Sequence, residues 1–394
     1  MSKNVLITMR PADYYFFGGE STFDQSNGER NYLVRSNRLP QQTGVVGLLR
    51  HCLFEAGLDA GEESFDPSIS VLAGQTPNHQ TFGLLEGISP LFLQYKKDGT
   101  RHFLLPAASC YLEDKTELKV DPSEEASWGY SGDTDFQALP SLTYSNKNKQ
   151  KVTYSEKDRL GDFWINLSTK ELVPSAWEKG NNGAEDQPDE GIFISSLHIG
   201  IDKMRRIQMG NGQNTGNNLE AFYKQEFYRL AKGFQFACIA TVDDNLDCSV
   251  FNRCMPFGGE NRTFILTATP WDETLQQLWN PAQAYGEEKG KVVLYGDAFL
   301  ENPQDLFAHC SLVVAKTKPF RNIYVKGKPG TVGNQVYANL HKHKQKKLLY
   351  LLERGSILYL KQGEEEAAIQ LLQSAGNYVN IGYNHFHTHS DHLK

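Results

Sequence analysis

The chain has 394 residues, 39% of them hydrophobic, enough for packed cores and for two or three domains of ordinary size. Its formal charge of −7 argues against a free-standing nucleic-acid binder held by bulk charge, while leaving room for local basic strips. Six scattered cysteines without a C-x-x-C pair argue against a zinc site or disulfide framework, and the start MSKNVLITMR lacks the apolar core of a signal peptide, so a soluble cytoplasmic protein with no cofactor, metal or membrane contact is expected.

A strand is expected over Val5–Met9, running into an aromatic turn at Phe16-Phe17-Gly18-Gly19. Pro40 then precedes an amphipathic helix opened by Thr43. Val45, Val46, Leu48, Leu49, Cys52, Leu53 and Ala56 share one arc at 3.6-residue spacing, and Gly57 supplies the C-terminal stop. Arg50 and Phe54 share the opposite face. The stretch Thr81–Ser109 reads as a β-hairpin. From Asp114 to Glu190 the chain turns polar, which predicts a long surface insertion, partly disordered. Islands around Trp128 and Trp164 within it suit an arm touching a neighbouring subunit or an RNA duplex. Strands resume at Gly191–Ile201, followed by a Gly/Asn-rich excursion carrying Arg205 and Arg206. From Leu219 to Leu230 apolar residues fall at helical spacing interrupted by Glu226, whereas FQFACIATV alternates as a strand. The last third offers the strand-like runs RTFILTAT, KVVLYGDAF, LFAHCSLVVAK and SILYL. Helical material is expected at Pro270–Trp279 and Asn302–His309.

Taken together, ITMRPADYYFFGGE and NRLPQQTGVVGLLRHCLFEAGL resemble the first βα unit of the RAMP superfamily of CRISPR RNA-binding proteins. More narrowly, the chain looks like the subunit that holds the 5′ tag of the guide RNA in type III-B (Cmr) effector complexes. The Thr81–Ser109 block, His198–Thr241, Met255–Leu266 and Glu353–Phe386 agree with that family in order and spacing. Two stretches depart from it. LPQQ replaces a run of prolines, and VVAKTKPFRN replaces a Trp-containing lysine loop. The resemblance implies an α+β chain of two tandem ferredoxin-like (RRM-like) βαββαβ domains, 1–245 with the insertion at 114–190, and 246–394. It also makes the run Tyr223–Val242 a hairpin turning at Lys232-Gly233.

Arg35, Arg38, Gln41 and Thr43 crowd the mouth of the first helix, where a helix N-terminus favours phosphate. Arg50 points to RNA or a partner. Arg262 follows the Gly258-Gly259-Glu260 turn and either matches a family turn or pairs with Glu260. The resemblance places Arg205 and Arg206 on a hook toward the guide–target duplex. Lys316, Lys318 and Arg321 form a basic strip beside Phe320 and Tyr324, and HKHKQKK (341–347) is either a solvated face or a phosphate-tracking strip. Gly376 and Gly382 flank a short strand in the C-terminal block. Asn380, Gly382, Tyr383 and Asn384 are the candidates there for hydrogen bonds and one stacking surface. His385, His387 and His389 share one face of an extended tail, read as a frayed terminus rather than a metal site.

Three functions fit these features, in order of preference. The first is a non-catalytic subunit that anchors the 5′ tag of the crRNA. It docks to the large polymerase-cyclase subunit and the backbone RAMP subunits, and meets target RNA only indirectly. The second is a metal-independent endoribonuclease with His51 as acid–base group and Tyr15 or Lys151 as helper. The third is a scaffold that touches protein only.

Overall fold

A computed structural model of the chain describes residues 1–18, 21–24, 31–61, 82–126, 139–155, 158–176, 191–201, 222–281, 290–300, 302–320, 323–326, 329–332, 335–338, 341–344 and 349–388. The fold is mixed α/β and rich in strands, with several antiparallel sheets. Strand β1 (Ser2–Pro11) lies inside a nine-stranded sheet, between Phe234–Asp243 on one side and Thr263–Pro270 on the other, antiparallel to both. Its apolar run follows from that position. Val5, Ile7 and Met9 face one core and Leu6 faces the other, so both faces of the strand are covered. Because Thr263–Pro270 and Cys254–Pro256 complete this sheet, it draws strands from both sides of residue 245.

Helix α1 (Gln42–Glu55) packs its apolar arc on the first core, burying Val45, Val46, Leu48, Leu49, Cys52 and Leu53. Gly57 stops it in a Schellman arrangement. At φ +70°, its N–H donates to the Phe54 carbonyl while Leu58 N–H donates to Leu53. Gly57→Ala is expected to cost about 1 kcal/mol, chiefly through the left-handed backbone, since the space around it is open. A urea midpoint shift measures this.

The Thr81–Ser109 block contains the expected hairpin. Phe92–Lys97 pairs with Thr100–Pro106 around Asp98-Gly99, both at positive φ, as a type I′ turn requires. The polar stretch after Asp114 is more ordered than its composition suggests. Phe163–Asn166 and Leu172–Pro174 extend the main sheet past that hairpin, and Trp164 is buried in the first core. Lys119–Ala126, Leu139–Ser145 and Lys151–Thr153 form a separate small sheet. Trp128 and the acidic end lie outside the described residues.

The run Tyr223–Val242 contains the two expected strands and a turn at Lys232-Gly233, but the strands do not pair as a hairpin. Phe234–Asp243 already has β1 on one edge and Leu85–Ile88 with Phe92–Lys97 on the other. Phe222–Leu230 therefore joins a four-stranded sheet with Phe193–Ile201, Asn31–Arg35 and Ser21–Asp24.

Toward the C-terminus, Cys310–Val314, Ile357–Leu360, Lys291–Leu294 and Phe386–Thr388 form another sheet. Helices Pro303–Phe307 and Glu365–Gln373 pack over it, around Leu294, Leu306, Leu358, Ala368 and Leu372. The short strand expected between Gly376 and Gly382 is instead a helical turn, Asn377–Asn380, because packing buries Tyr378 against Phe299, ring centroids 4.2 Å apart. The tail is not frayed as far as Thr388, since Phe386–Thr388 is a sheet strand. His389 lies outside the described residues.

Candidate nucleic-acid interface

Four chain segments converge at the mouth of α1. The Phe16–Gly18 turn is clasped by the segment after Asn31–Arg35. Phe17 N–H donates to Ser36 Oγ at 2.8 Å, and Asn37 Nδ2 donates to the carbonyls of Phe17 and Gly18 at 3.2 and 2.5 Å. The Gly258-Gly259 turn closes from the other side, with Gly259 N–H on the Phe16 carbonyl at 2.7 Å. A Cβ at Gly258 would lie 2.6 Å from that same oxygen, so glycine is required here on both contact and φ (+82°). Phe257 next to this turn touches the first turn of α1 at Gly44. Glu260 and Asn261 follow, both at positive φ (59° and 49°), a backbone outlier of the kind that clusters at ligand sites.

The N-cap residue of the helix, Gln41, is extended and does not cap it through its own side chain. The end of α1 is held from below by Gln42, which lies between the two residues singled out from sequence. Fully buried, Gln42 donates through Nε2 to the Ser89 and Ile381 carbonyls at 3.0 and 2.9 Å and accepts at Oε1 from Leu91 N–H at 3.1 Å. This places the C-terminal Gly382 loop directly under the helix mouth.

The predicted residues divide by environment. Arg35 is exposed and loosely paired with Glu226 at 3.8 Å. Arg262 places its guanidinium over the Phe227 ring at 4.9 Å, rather than pairing with Glu260. Both stand near the convergence, through Ser36 and the Gly258-Gly259 turn. Arg38 is half-buried against Asp162, Phe193 and Tyr228. Burial opposes its charge, but the Asp162 carboxylate and the Tyr228 phenol together outweigh that and raise its pKa. Arg50 turns back to donate to the Ala60 and Gly61 carbonyls and lies over Phe82 at 5.4 Å, and burial lowers its pKa. It therefore ties down the loop after α1.

Gln41 and Thr43 lie half-buried at the helix mouth, and Asn380 is half-buried where its carbonyl closes on Gly87. Tyr383 is buried against Thr43, where desolvation pushes its phenol far above the ordinary value. It presents no stacking face to solvent. Asn384 is buried too. Its Oδ1 accepts from Phe299 N–H, and its Nδ2 donates to the Phe299 and Leu372 carbonyls. These two side chains build the floor of the site rather than its surface. Arg205, Arg206 and Arg321 lie outside the described residues.

Lys316 is exposed, but Lys318 is not free. It pairs at 2.5 Å with Asp297, a carboxylate 2% exposed that also receives Arg354 Nε at 3.1 Å and Nη2 at 2.9 Å. Burial alone would raise the Asp297 pKa, yet Arg354 and Lys318 together hold it far below the usual carboxylate range. Arg354 Nη1 donates to the Leu91 carbonyl at 3.1 Å, and Asn384 N–H to Asp297 O at 2.9 Å. This cluster thus joins five separate stretches of chain, at Leu91, Asp297, Lys318, Arg354 and Asn384. Nothing in the spacing of DAF and ERGS announces it.

The residues considered for acid–base chemistry do not share an environment. His51 is exposed and sits 3.2 Å from Glu55. The Tyr15 hydroxyl is buried and donates to the Arg38 carbonyl at 2.8 Å, and Lys151 pairs with Asp121.

The family model described as "CRISPR-associated protein (Cas_Cmr3)" matches residues 7–389. The chain belongs to that family. As a Cas_Cmr3 member it is a subunit of a type III-B CRISPR effector complex. Two solved structures resemble this Cas_Cmr3 chain, each covering 98% of it and 96% of their own chain at a TM-score of 0.43. One is the Type III-B Cmr-beta bound to cognate target RNA and AMPPnP, state 1, by cryo-EM, at 15% identity. The other is the Type III-B Cmr-beta bound to cognate target RNA, at 14% identity. Comparison with curated proteins returned no match. Among the described residues, no helix is long and apolar enough to cross a membrane.

Proposed function

We propose that this Cas_Cmr3 subunit anchors the 5′ tag of the crRNA without catalysing a reaction, in the cytoplasm. In this reading it docks to the large polymerase-cyclase subunit and the backbone RAMP subunits and meets target RNA indirectly. The observation that carries the reading is the convergence at the α1 mouth. A helix N-terminus whose N-cap residue makes no capping bond, a Phe16–Gly18 segment clasped from two sides, two positive-φ residues beyond the Gly258-Gly259 turn, and the cations Arg35 and Arg262 meet there. Backbone N–H groups and a helix end suit phosphate, and splayed bases would then be read beside them. The tandem ferredoxin-like arrangement belongs to the same reading, with β1 and α1 as its first βα step.

The test is a gel-shift with end-labelled crRNA carrying the native or a scrambled tag, in EDTA, using the protein co-purified with its large-subunit partner. A tag-dependent shift with intact RNA is expected. Arg35→Ala combined with Arg262→Ala should weaken it by about 10- to 100-fold, for two lost charge-assisted contacts. An equal shift for the scrambled tag would reject tag anchoring. Specific cutting that survives chelation would reinstate the nuclease, with His51→Ala as the next variant.

A further inference from the structure

Three two-stranded ladders between residues 317 and 352 are nested inside one another. Thr317–Phe320 pairs with Leu349–Leu352, Ile323–Lys326 with His341–Lys344, and Pro329–Val332 with Gln335–Ala338. Lys318 and Lys326 therefore lie on the outgoing strands of one arm, and Lys342 and Lys344 on its returning side. Lys326 lies opposite His341, Val325 opposite Lys342, and Ile323 opposite Lys344. Between Thr317 and Leu352 the sequence carries eight lysines and arginines and not one Asp or Glu, in a chain whose formal charge is −7.

The root of the arm is fixed. Phe320 and Leu351 are buried in the main core, and Glu353 N–H donates to the Lys316 carbonyl at 2.8 Å. Lys318 on the first strand and Arg354 just past the second both grip Asp297. Beyond that root, each of the two outer ladders pairs only with itself among the described residues. A two-stranded ribbon of this kind is marginal by itself in water, so a binding partner is expected to stabilise it.

We propose that the 317–352 arm is a second RNA-binding element of this subunit, which holds the phosphodiester backbone of RNA irrespective of sequence. The charge complementarity is local and of one sign, the condition for phosphate-driven, salt-dependent binding. A narrow ribbon with cations on both strands can follow a single strand or lie along an A-form duplex, which proteins contact by shape and backbone rather than by base edges. Lys318 has a different role from the cations beyond it. Its charge is spent on Asp297, so it secures the arm rather than touching RNA. The proposal is independent of tag reading at the α1 mouth.

The test uses the full chain and two untagged probes, an oligouridylate and a blunt RNA duplex, across about 50 to 200 mM salt. The triple variant Lys326→Ala, Lys342→Ala, Lys344→Ala is expected to bind at least one probe about ten-fold more weakly at the low-salt end. Its log–log salt slope should be shallower by about two, at about 0.7 per lost phosphate contact on single strands. Loss confined to the oligouridylate assigns the arm to single strands, and loss confined to the duplex assigns it to paired RNA. The corresponding triple Lys→Arg variant keeps the charge and should retain both affinities, which separates charge loss from misfolding. Unchanged affinity and slope for both probes would overturn the proposal. So would a triple variant that keeps RNA binding but no longer co-purifies with a partner subunit, which makes the arm a protein-docking element. The preference for native over scrambled tag should be the same in wild type and triple variant. Its absence in wild type, with the triple variant still losing untagged RNA, would reject the tag reading and leave the arm standing.

Discussion

Asp297→Ala is expected to destabilise the chain by about 3–5 kcal/mol, the usual loss when one member of a buried ion pair is removed and its partner is left uncompensated. Among the described residues, the Arg354 side chain, 8% exposed, would keep only its bond to the Leu91 carbonyl. Lys318→Ala should cost far less, because the ammonium is a quarter exposed and Asp297 keeps Arg354. A urea midpoint that falls steeply for the first variant and slightly for the second would establish the hierarchy; equal midpoints would mean the cluster carries no weight. Acid should report the same cluster. The folded-state pKa of Asp297 is depressed, so its contribution is complete above the unfolded carboxylate value of about 3.9 and is lost as pH falls below it. Wild type should therefore weaken between about pH 4 and pH 2, while the Asp297→Ala variant lacks that component.

Gly382→Ala is the second large effect, expected at about 2–4 kcal/mol from backbone strain and overpacking together. The residue has φ +90°, and a methyl group there would lie 1.9 Å from Gln42 Nε2, 2.7 Å from the Ser89 carbonyl and 2.8 Å from Pro90 N. The amide tip could swing aside only by abandoning its bonds to Ser89 and Ile381, and the two backbone atoms cannot move without shifting the strand–loop they belong to. The clash is shared with Gln42, so the double variant with Gln42→Ala should lose less than the sum of the two single losses. Additive losses would mean the helix mouth and the glycine loop are not mechanically joined. RNA affinity measured in parallel should fall with the clamp, because the same contact sets the position of the α1 end.

What could be read from sequence was local. The α1 arc, its Gly57 stop, the Asp98-Gly99 hairpin and most strands follow from spacing and turn chemistry within a few residues, and each is found in place. Pairing was not readable. Phe222–Leu230 and Phe234–Asp243 look like one hairpin because the turn between them is sound, yet long-range partners claim each strand first. The Gly376–Gly382 stretch reads as extended, but burial of Tyr378 winds it into a turn. For the candidate site, residue type picked out the α1 mouth, where chain segments converge, but not which of its residues are already paired or buried. Arg38 and Lys318 look like free cations until Asp162 and Asp297 arrive from elsewhere in the chain. Gln42, the residue that joins helix mouth to glycine loop, carries no signal at all, since a buried glutamine is written like an exposed one.

The place of β1 in its sheet has a consequence for how the chain is made. Both strands that flank it lie more than two hundred residues downstream, beginning at Phe234 and Thr263. At about 5–20 residues per second, a ribosome needs roughly 10–50 s to deliver the first of them. Throughout that interval Val5, Leu6 and Ile7 form an apolar ribbon with two vacant edges, open to any other nascent strand. Closure of such remote contacts is slow by topology alone. A holdase that shields the first dozen residues is therefore expected to raise the yield of native protein more than any change to the finished core.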